Sequence, residues 1–148
     1  MFVNQACEET VIDYLIACLD PMELTASYYG GYGNVEDLQS PAVVVAMNEG
    51  TEVFYNSNVY ELFGSIQVKE MAADISASNV QGGLGVLSHN IQNCLWAPNI
   101  ETALNLTGSH NFVTYQLSGR TSRYSYSQDA LISELDVRIV GTLSGSIP

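Results

Sequence analysis

The sequence predicts an α+β domain, in which a mixed or antiparallel β-sheet of about five to six strands packs against two main helices in two layers. Apolar residues recur at helical spacing in two segments and alternate, or run continuously, in several others. The helical and strand segments follow one another in blocks, which favours the α+β class. The length of 148 residues fits a single domain over residues 1–148.

The first helix is predicted over residues 5–19, where apolar side chains form one stripe. The stripe consists of Cys7, Val11, Tyr14, Leu15 and Cys18. Glu8, Glu9 and Asp13 are expected on the opposite, solvent-facing side, and Pro21 ends the helix.

The connection over residues 22–40 is long for a compact domain and contains the segment Tyr28-Tyr29-Gly30-Gly31-Tyr32-Gly33. Glycine makes this segment flexible, and tyrosine favours contacts with other surfaces. It is either a contact loop that orders against a neighbouring subunit or a mobile surface loop.

Three strands are predicted in the middle of the chain. Residues 42–47 are rich in β-branched residues and favour a central strand, and residues 51–55 form a short second strand. Residues 59–70 alternate, with Phe63 as an aromatic residue on the polar face. The inward set is Tyr60, Leu62, Ile66 and Val68, and the outward set is Glu61, Ser65, Gln67 and Lys69.

The second helix is predicted over residues 79–97 and ends at Pro98. Its apolar stripe consists of Val80, Leu84, Leu87, Ile91, Cys94 and Leu95. Asn99 is suited to cap a short helix that runs through Leu106.

The last third of the chain is predicted to return to strands, over residues 110–117, 121–127 and 131–143. The final strand directs Leu135, Val137, Ile139 and Leu143 inward, and Glu134, Asp136 and Arg138 outward. Residues 144–148 are rich in serine and glycine and are expected to form a loose tail.

The charge balance is strongly acidic. The chain has sixteen carboxylates and four basic residues, so its formal net charge is −12, although 47% of the residues are hydrophobic. Tight binding of nucleic acids or of anionic membranes needs clustered basic residues, which argues against both. The acidity serves either solubility or a repulsive lining for a polyanion. No apolar run approaches the ~20 residues of a membrane span, and no signal peptide is expected.

The three cysteines, Cys7, Cys18 and Cys94, lack a CxxC pair and lie in or beside apolar stripes. We expect three buried, reduced thiols and a reducing compartment. His89 and His110 have no partners at metal-ligand spacing, and neither a GxSxG nor a P-loop pattern occurs. We therefore expect a protein that is not an enzyme and binds no metal or cofactor.

The order of elements resembles the tail-terminator (tail-completion) family of tailed bacteriophages, and less closely other small head–tail connector proteins. The likeness covers roughly residues 5–143. It rests on the helix that ends near Pro21, the strand Pro41-Ala42-Val43-Val44-Val45, the alternating strand that ends in Ile66-Gln67-Val68, the helix with Val80, Leu84, Leu87, Ile91 and Leu95, and the closing strand of residues 135–140.

This resemblance implies a homo-oligomer, namely a hexameric ring that caps the tail tube, joins it to the head or neck and leaves an acidic channel through which DNA passes without tight binding. It implies other phage neck and tail proteins as partners, and a virion location after synthesis in the host cytoplasm. The alternatives are another neck or tail-tube component, or a small acidic binding or inhibitor module.

Aromatic residues outside the predicted core, together with the arginines, are candidate subunit-interface residues. The arginines either balance nearby carboxylates or pair with those of a neighbouring subunit. The candidates are Tyr28, Tyr29, Tyr32, Phe63, Arg120, Arg123 and Arg138. No individual residue is assigned to the channel lining.

Overall fold

A computed structural model describes residues 3–31, 35–39, 41–49, 59–71, 86–97, 100, 104, 110–125 and 130–143. Two helices, α1 (Val3–Leu19) and α2 (Val86–Leu95), pack on one face of a five-stranded sheet. The strands are β1 (Ser27–Gly30), β2 (Ala42–Glu49), β3 (Val59–Met71), β4 (His110–Ser125) and β5 (Ala130–Leu143). Their order in the sheet is β1-β2-β3-β5-β4.

The predicted α+β class, with a mixed sheet and two helices, is confirmed. The β1–β2 pair is parallel and the other neighbouring pairs are antiparallel. Four strands have eight or more residues, whereas β1 has only four. The five strands of this sheet are at the lower end of the expected five to six, and they include β1, which is short.

The main core lies between the helices and one face of the sheet. The alternation predicted for β3 and β5 is confirmed there, because Leu62, Ile66, Val68, Leu135 and Ile139 are each at most 1% exposed. Burial of each such side chain contributes roughly 1.5–3 kcal/mol to the stability of the fold. The helices cover these side chains with an apolar set of their own: Val11, Leu15, Leu19, Ile91 and Leu95.

The segment 22–40, predicted as one long connection, contains β1 and a short 3-10 helix at Val35–Asp37. The chain between β1 and β2 covers part of the second sheet face, where Val35 and Leu38 pack on β2 and β5. Lys69 was expected in solvent but is only 6% exposed, since this segment lies over it. Its Nζ donates a hydrogen bond to the Leu38 carbonyl at 2.8 Å.

The strand β4 is one element rather than the two strands that were predicted over residues 110–117 and 121–127. Its pairing with β5 continues from His110 to Ser125, with register shifts between Phe112 and Thr114 and between Leu117 and Gly119. The register shift between Leu117 and Gly119 therefore marks a bulge inside one strand, at the place where the prediction left a gap between two strands.

The prediction of three reduced thiols was wrong for two of them. Cys18 of α1 and Cys94 of α2 form a disulfide, with their Cα atoms 6.5 Å apart. The Tyr14 hydroxyl also donates a hydrogen bond to the Cys94 carbonyl, so the two helices are joined twice at this point. Both cysteines had been assigned to apolar stripes, and the structure brings those stripes together. Cys7 is a buried free thiol.

Some predicted elements lie outside the described residues: the strand 51–55, the start of the second helix at 79–85 and the tail 144–148. Ile100 and Leu104, from the predicted short helix, are both buried in the main core.

Gly64 of β3 lies where the sheet leaves no room for a side chain. A Cβ atom there would overlap the Ala46 carbonyl oxygen, and it would lie 2.7 Å from the Met47 sulfur and 2.9 Å from the Met47 Cα. Two of these three neighbours are backbone atoms, which cannot rotate away.

We expect Gly64→Ala to lower the free energy of unfolding by about 2–3 kcal/mol, because β2 must shift to admit the methyl group. Gly30→Ala is the matched control, since a Cβ at position 30 meets its nearest neighbour at 3.6 Å. Urea unfolding of both variants measures the difference. Equal stability of the two would contradict the close approach of β2 to Gly64.

The disulfide is expected to contribute about 4 kcal/mol, because it constrains an unfolded loop across a sequence separation of 76 residues. Thiol titration of the denatured, unreduced protein should find one thiol in each chain, that of Cys7. The Cys18→Ala/Cys94→Ala variant should unfold at lower urea and be insensitive to reductant. Three thiols in the untreated chain would contradict the pairing.

Candidate interaction surface

The sheet face opposite α1 and α2 is open around Phe63, whose side chain is 46% exposed. Phe63 and Arg138 are directly opposite each other in the β3–β5 register. The Arg138 guanidinium carbon lies 6.0 Å from the centroid of the Phe63 ring, within the range of a cation–π contact. Two of the predicted interface residues therefore form one aromatic–arginine pair on this face.

Tyr28 and Tyr29, two of the predicted interface residues, are neighbours in β1, so their side chains point to opposite faces of the sheet. Tyr28 is half-buried and packs against the main core, where burial and the charge of Asp20 raise the pKa of its hydroxyl. Tyr29 points the other way and is 43% exposed. Tyr29 is thus available for contact, whereas Tyr28 belongs to the core; Tyr32 lies outside the described residues.

Arg120 and Arg123 both lie within β4. Their backbone register places Arg120 opposite Leu135 and Arg123 opposite Ile132 of β5. Both residues are therefore on the outermost strand of the sheet. Arg138 lies on β5, one strand further in.

Both edges of the sheet are open among the described residues, since β4 and β1 each pair with one neighbour only. The β4 edge is sixteen residues long and the β1 edge is four. On β1, the amides of Ser27 and Gly31 bond to the β2 side. The polar backbone groups of Tyr28 and Gly30 therefore point outward, because successive residues of a strand alternate.

Glu8 was expected in solvent, but its side chain is only 4% exposed. Its Oε2 accepts the Met47 amide hydrogen at 2.8 Å, and the carboxylate also interacts with the Gly31 amide. The Glu8 carboxylate thus accepts a β2 amide hydrogen just beyond the last residue of β2 that pairs with β1. Burial raises the pKa of Glu8, the amide bonds lower it, and the charge of Glu9 raises it further, with a net upward shift.

A groove of about 330 Å³ lies between α1 and the end of β1. Its charged lining residues are Glu8 and Glu9, of which Glu9 is exposed. The complete lining is Gln5, Glu8, Glu9, Ile12, Gly30 and Gly31. This groove opens beside the edge strand β1 and carries negative charge.

Glu70 has a similar role at the first turn of α2. Its Oε1 accepts the Leu87 amide hydrogen at 2.7 Å, and its Oε2 accepts the Ser88 hydroxyl at 2.7 Å and the Ser88 amide at 3.3 Å. A carboxylate at this position satisfies amides that lack helical partners and interacts favourably with the helix dipole. Glu70 therefore fixes where α2 begins over the sheet.

The described residues contain no cluster of three or more histidine, cysteine, aspartate or glutamate side chains that is able to hold a metal ion. His89 contacts Asn93 on the same helix at 3.3 Å. Burial, followed by the charge of Glu8, raises the pKa of the Cys7 thiol to about 12, so it stays protonated and is a poor nucleophile. Neither described helix has the length and apolarity to cross a bilayer.

The buried carboxylates were missed although the sequence carried a signal for each. Glu8 precedes Val11 by three residues and Leu15 by seven, which places it on the buried stripe of α1. Glu70 has the same parity as Leu62, Ile66 and Val68 in β3, which places it on the core face. For Glu8 the charge was given more weight than the position, and Glu70 was assigned to neither face of its strand.

Because its pKa is raised, Glu8 binds a proton in the folded chain at pH values where the unfolded chain has lost it. Its contribution to stability is therefore present at low pH and is lost as the pH rises from the ordinary value of 4.5 through the raised one. We expect Glu8→Gln to remove this fall in the free energy of unfolding, as measured by urea titration at several pH values.

Asp13→Asn is the control for this experiment, since it removes one charge from an exposed position of the same helix. It should leave the pH dependence in place. An unchanged profile in Glu8→Gln, or its loss in the control, would contradict the assignment to Glu8.

The comparisons of the sequence with family models and curated proteins give no relative on which to base a function. The sequence matches no protein-family model and no curated protein. The tail-terminator resemblance therefore stays a prediction, and the residues of the chain itself carry the functional argument.

Proposed function

We propose that this chain is a structural virion protein that assembles into a ring, in the manner of a phage tail terminator that caps the tail tube and joins it to the neck. The observation that carries the proposal is a sheet whose described part is open at both edges, one of them sixteen residues long. An unpaired strand edge presents backbone donors and acceptors that another chain can use.

The exposed sheet face gives further support. Aromatic residues and arginine are enriched in the contact regions of protein interfaces, and Phe63 and Arg138 combine both on one face. Tyr29 adds a third large side chain at the β1 edge. A surface of this composition suits contact with other neck or tail proteins.

The net charge of −12 supports the part of the proposal that concerns DNA. A ring of such subunits repels phosphates, so a duplex passes through its channel without being retained. The same charge would also suit a small acidic module that binds a basic protein. The two functions differ in assembly, since the acidic module acts as a single chain.

The proposal predicts a closed ring, expected to contain six copies. Native mass spectrometry of the full chain should give a single oligomer, and negative-stain electron microscopy should show rings with a central hole. Because tail terminators can remain monomeric until they meet the tail tube, the same chain should also be examined after mixing with purified tubes.

A chain that stays monomeric alone and with tubes, and is absent from phage particles, would contradict the proposal. Capture of one basic protein by such a monomer would favour the acidic binding module instead. The variant Phe63→Ser tests the open face, because it removes an exposed aromatic side chain without touching the core and should weaken contacts made by that face.

A further inference from the structure

The charge of this chain is unevenly distributed along the sequence. Residues 1–68 contain ten of the sixteen carboxylates and none of the four basic residues. The basic residues all follow, at Lys69, Arg120, Arg123 and Arg138. The net charge of −12 is thus the sum of a strongly acidic first half and a nearly balanced second half.

The strand order places the acidic first part of the sequence at one edge of the sheet and part of the second half at the other, so the two edges differ in charge. The first half supplies α1, β1 and β2, so one edge of the sheet is acidic and carries the groove in which Glu9 is the exposed carboxylate. The opposite edge is β4, whose sixteen residues include Arg120 and Arg123 and no aspartate or glutamate. The edge strand β4 therefore carries only positive formal charge, while the carboxylates Glu134 and Asp136 lie one strand further in, on β5.

We infer that a second copy of this chain is the partner of both edges, and that the β4 edge of one copy docks beside β1 and the acidic groove of the next. The inference rests on the proposed ring and names the surfaces that would join its subunits. A head-to-tail contact of this kind uses two different patches on each copy, and it closes into a ring when the rotation between copies allows.

Strand directions agree with this pairing. β4 is antiparallel to β5, β5 to β3 and β3 to β2, while β1 is parallel to β2. It follows that β4 runs opposite to β1. When two copies keep their helices on the same side of a joined sheet, β4 of one copy and β1 of the next therefore meet as antiparallel neighbours.

The symmetric alternatives are less favourable electrostatically. A two-fold contact through β4 brings two basic edges together, and a two-fold contact through β1 brings two acidic grooves together. Only the unlike edges are complementary in charge, and like-charge contacts suppress the wrong pairings. Charge thus selects a head-to-tail contact over a two-fold dimer.

Two charge-reversed variants test the inference. Variant A, Glu9→Lys/Asp13→Lys, reverses exposed charges on α1 beside the groove, and variant B, Arg120→Glu/Arg123→Glu, reverses the β4 edge. Variant A places two lysines beside the groove, where they repel the β4 arginines of the next copy, and variant B places two carboxylates on β4, where they repel the groove. We therefore expect the association constant of each variant alone to fall at least about tenfold. An equimolar mixture of A and B should recover assembly with alternating copies, as native mass spectrometry would show by mass.

General charge repulsion predicts the opposite result for variant A. That variant loses two carboxylates and gains two lysines, which brings its formal net charge from −12 to −8 and should promote non-specific association. The matched control is Glu23→Lys/Asp37→Lys, which has the same net charge but changes two exposed residues outside the groove. It should assemble like the unmodified chain.

The outcomes separate this inference from the proposed function. Loss of assembly in A and in B, with recovery in the mixture, supports the head-to-tail contact, and a misfolded variant would not recover on mixing. If unmodified chains form rings and A or B alone also assembles, the head-to-tail contact is overturned, but the proposed ring is not. Unmodified chains that never assemble, alone or with tail tubes, would overturn the ring itself.

Discussion

The two-sided pairing of β3 is the constraint on which the rest of the structure depends. β3 pairs with β5 over its whole length and with β2 from Leu62 to Lys69, so the backbone polar groups of that central stretch are satisfied on both sides. One of its faces is apolar, and α1 and α2 cover that face. Gly64 lets β2 approach closely at the centre of this pairing. The outer strands β1 and β4 are then the ones that present backbone groups with which a strand of another molecule is able to pair.

The elements that were predicted correctly are those in which a single pattern repeats many times. The alternation of β3 and β5 persists through Ile66, Val68, Leu135 and Val137, because each buries one whole face against the helices. β1 was missed since four residues give too few repeats, and its parallel partner is set by tertiary contacts. The Cys18–Cys94 pair was missed for a related reason, because nothing in the local sequence says which two stripes will meet.

Buried charge explains the remaining differences. A carboxylate or ammonium group usually indicates a solvent-facing position, yet Glu8, Glu70 and Lys69 are all nearly fully buried. Each interacts with backbone groups of another segment. Glu8 connects α1 to β2, and Glu70 connects β3 to α2. Lys69 connects β3 to the segment between β1 and β2. These charged groups therefore set the relative positions of elements whose apolar faces alone would permit several arrangements.

The disulfide between α1 and α2 also bears on the order in which the chain folds and is oxidised. Disulfides persist in oxidising surroundings and are lost in reducing ones, so under reducing conditions the chain folds as a dithiol, without the crosslink. The fold must therefore be complete enough without the bond to bring Cys18 and Cys94 together. The crosslink then stabilises an arrangement that packing has already selected, and the thiol content of the chain reports the redox environment around it.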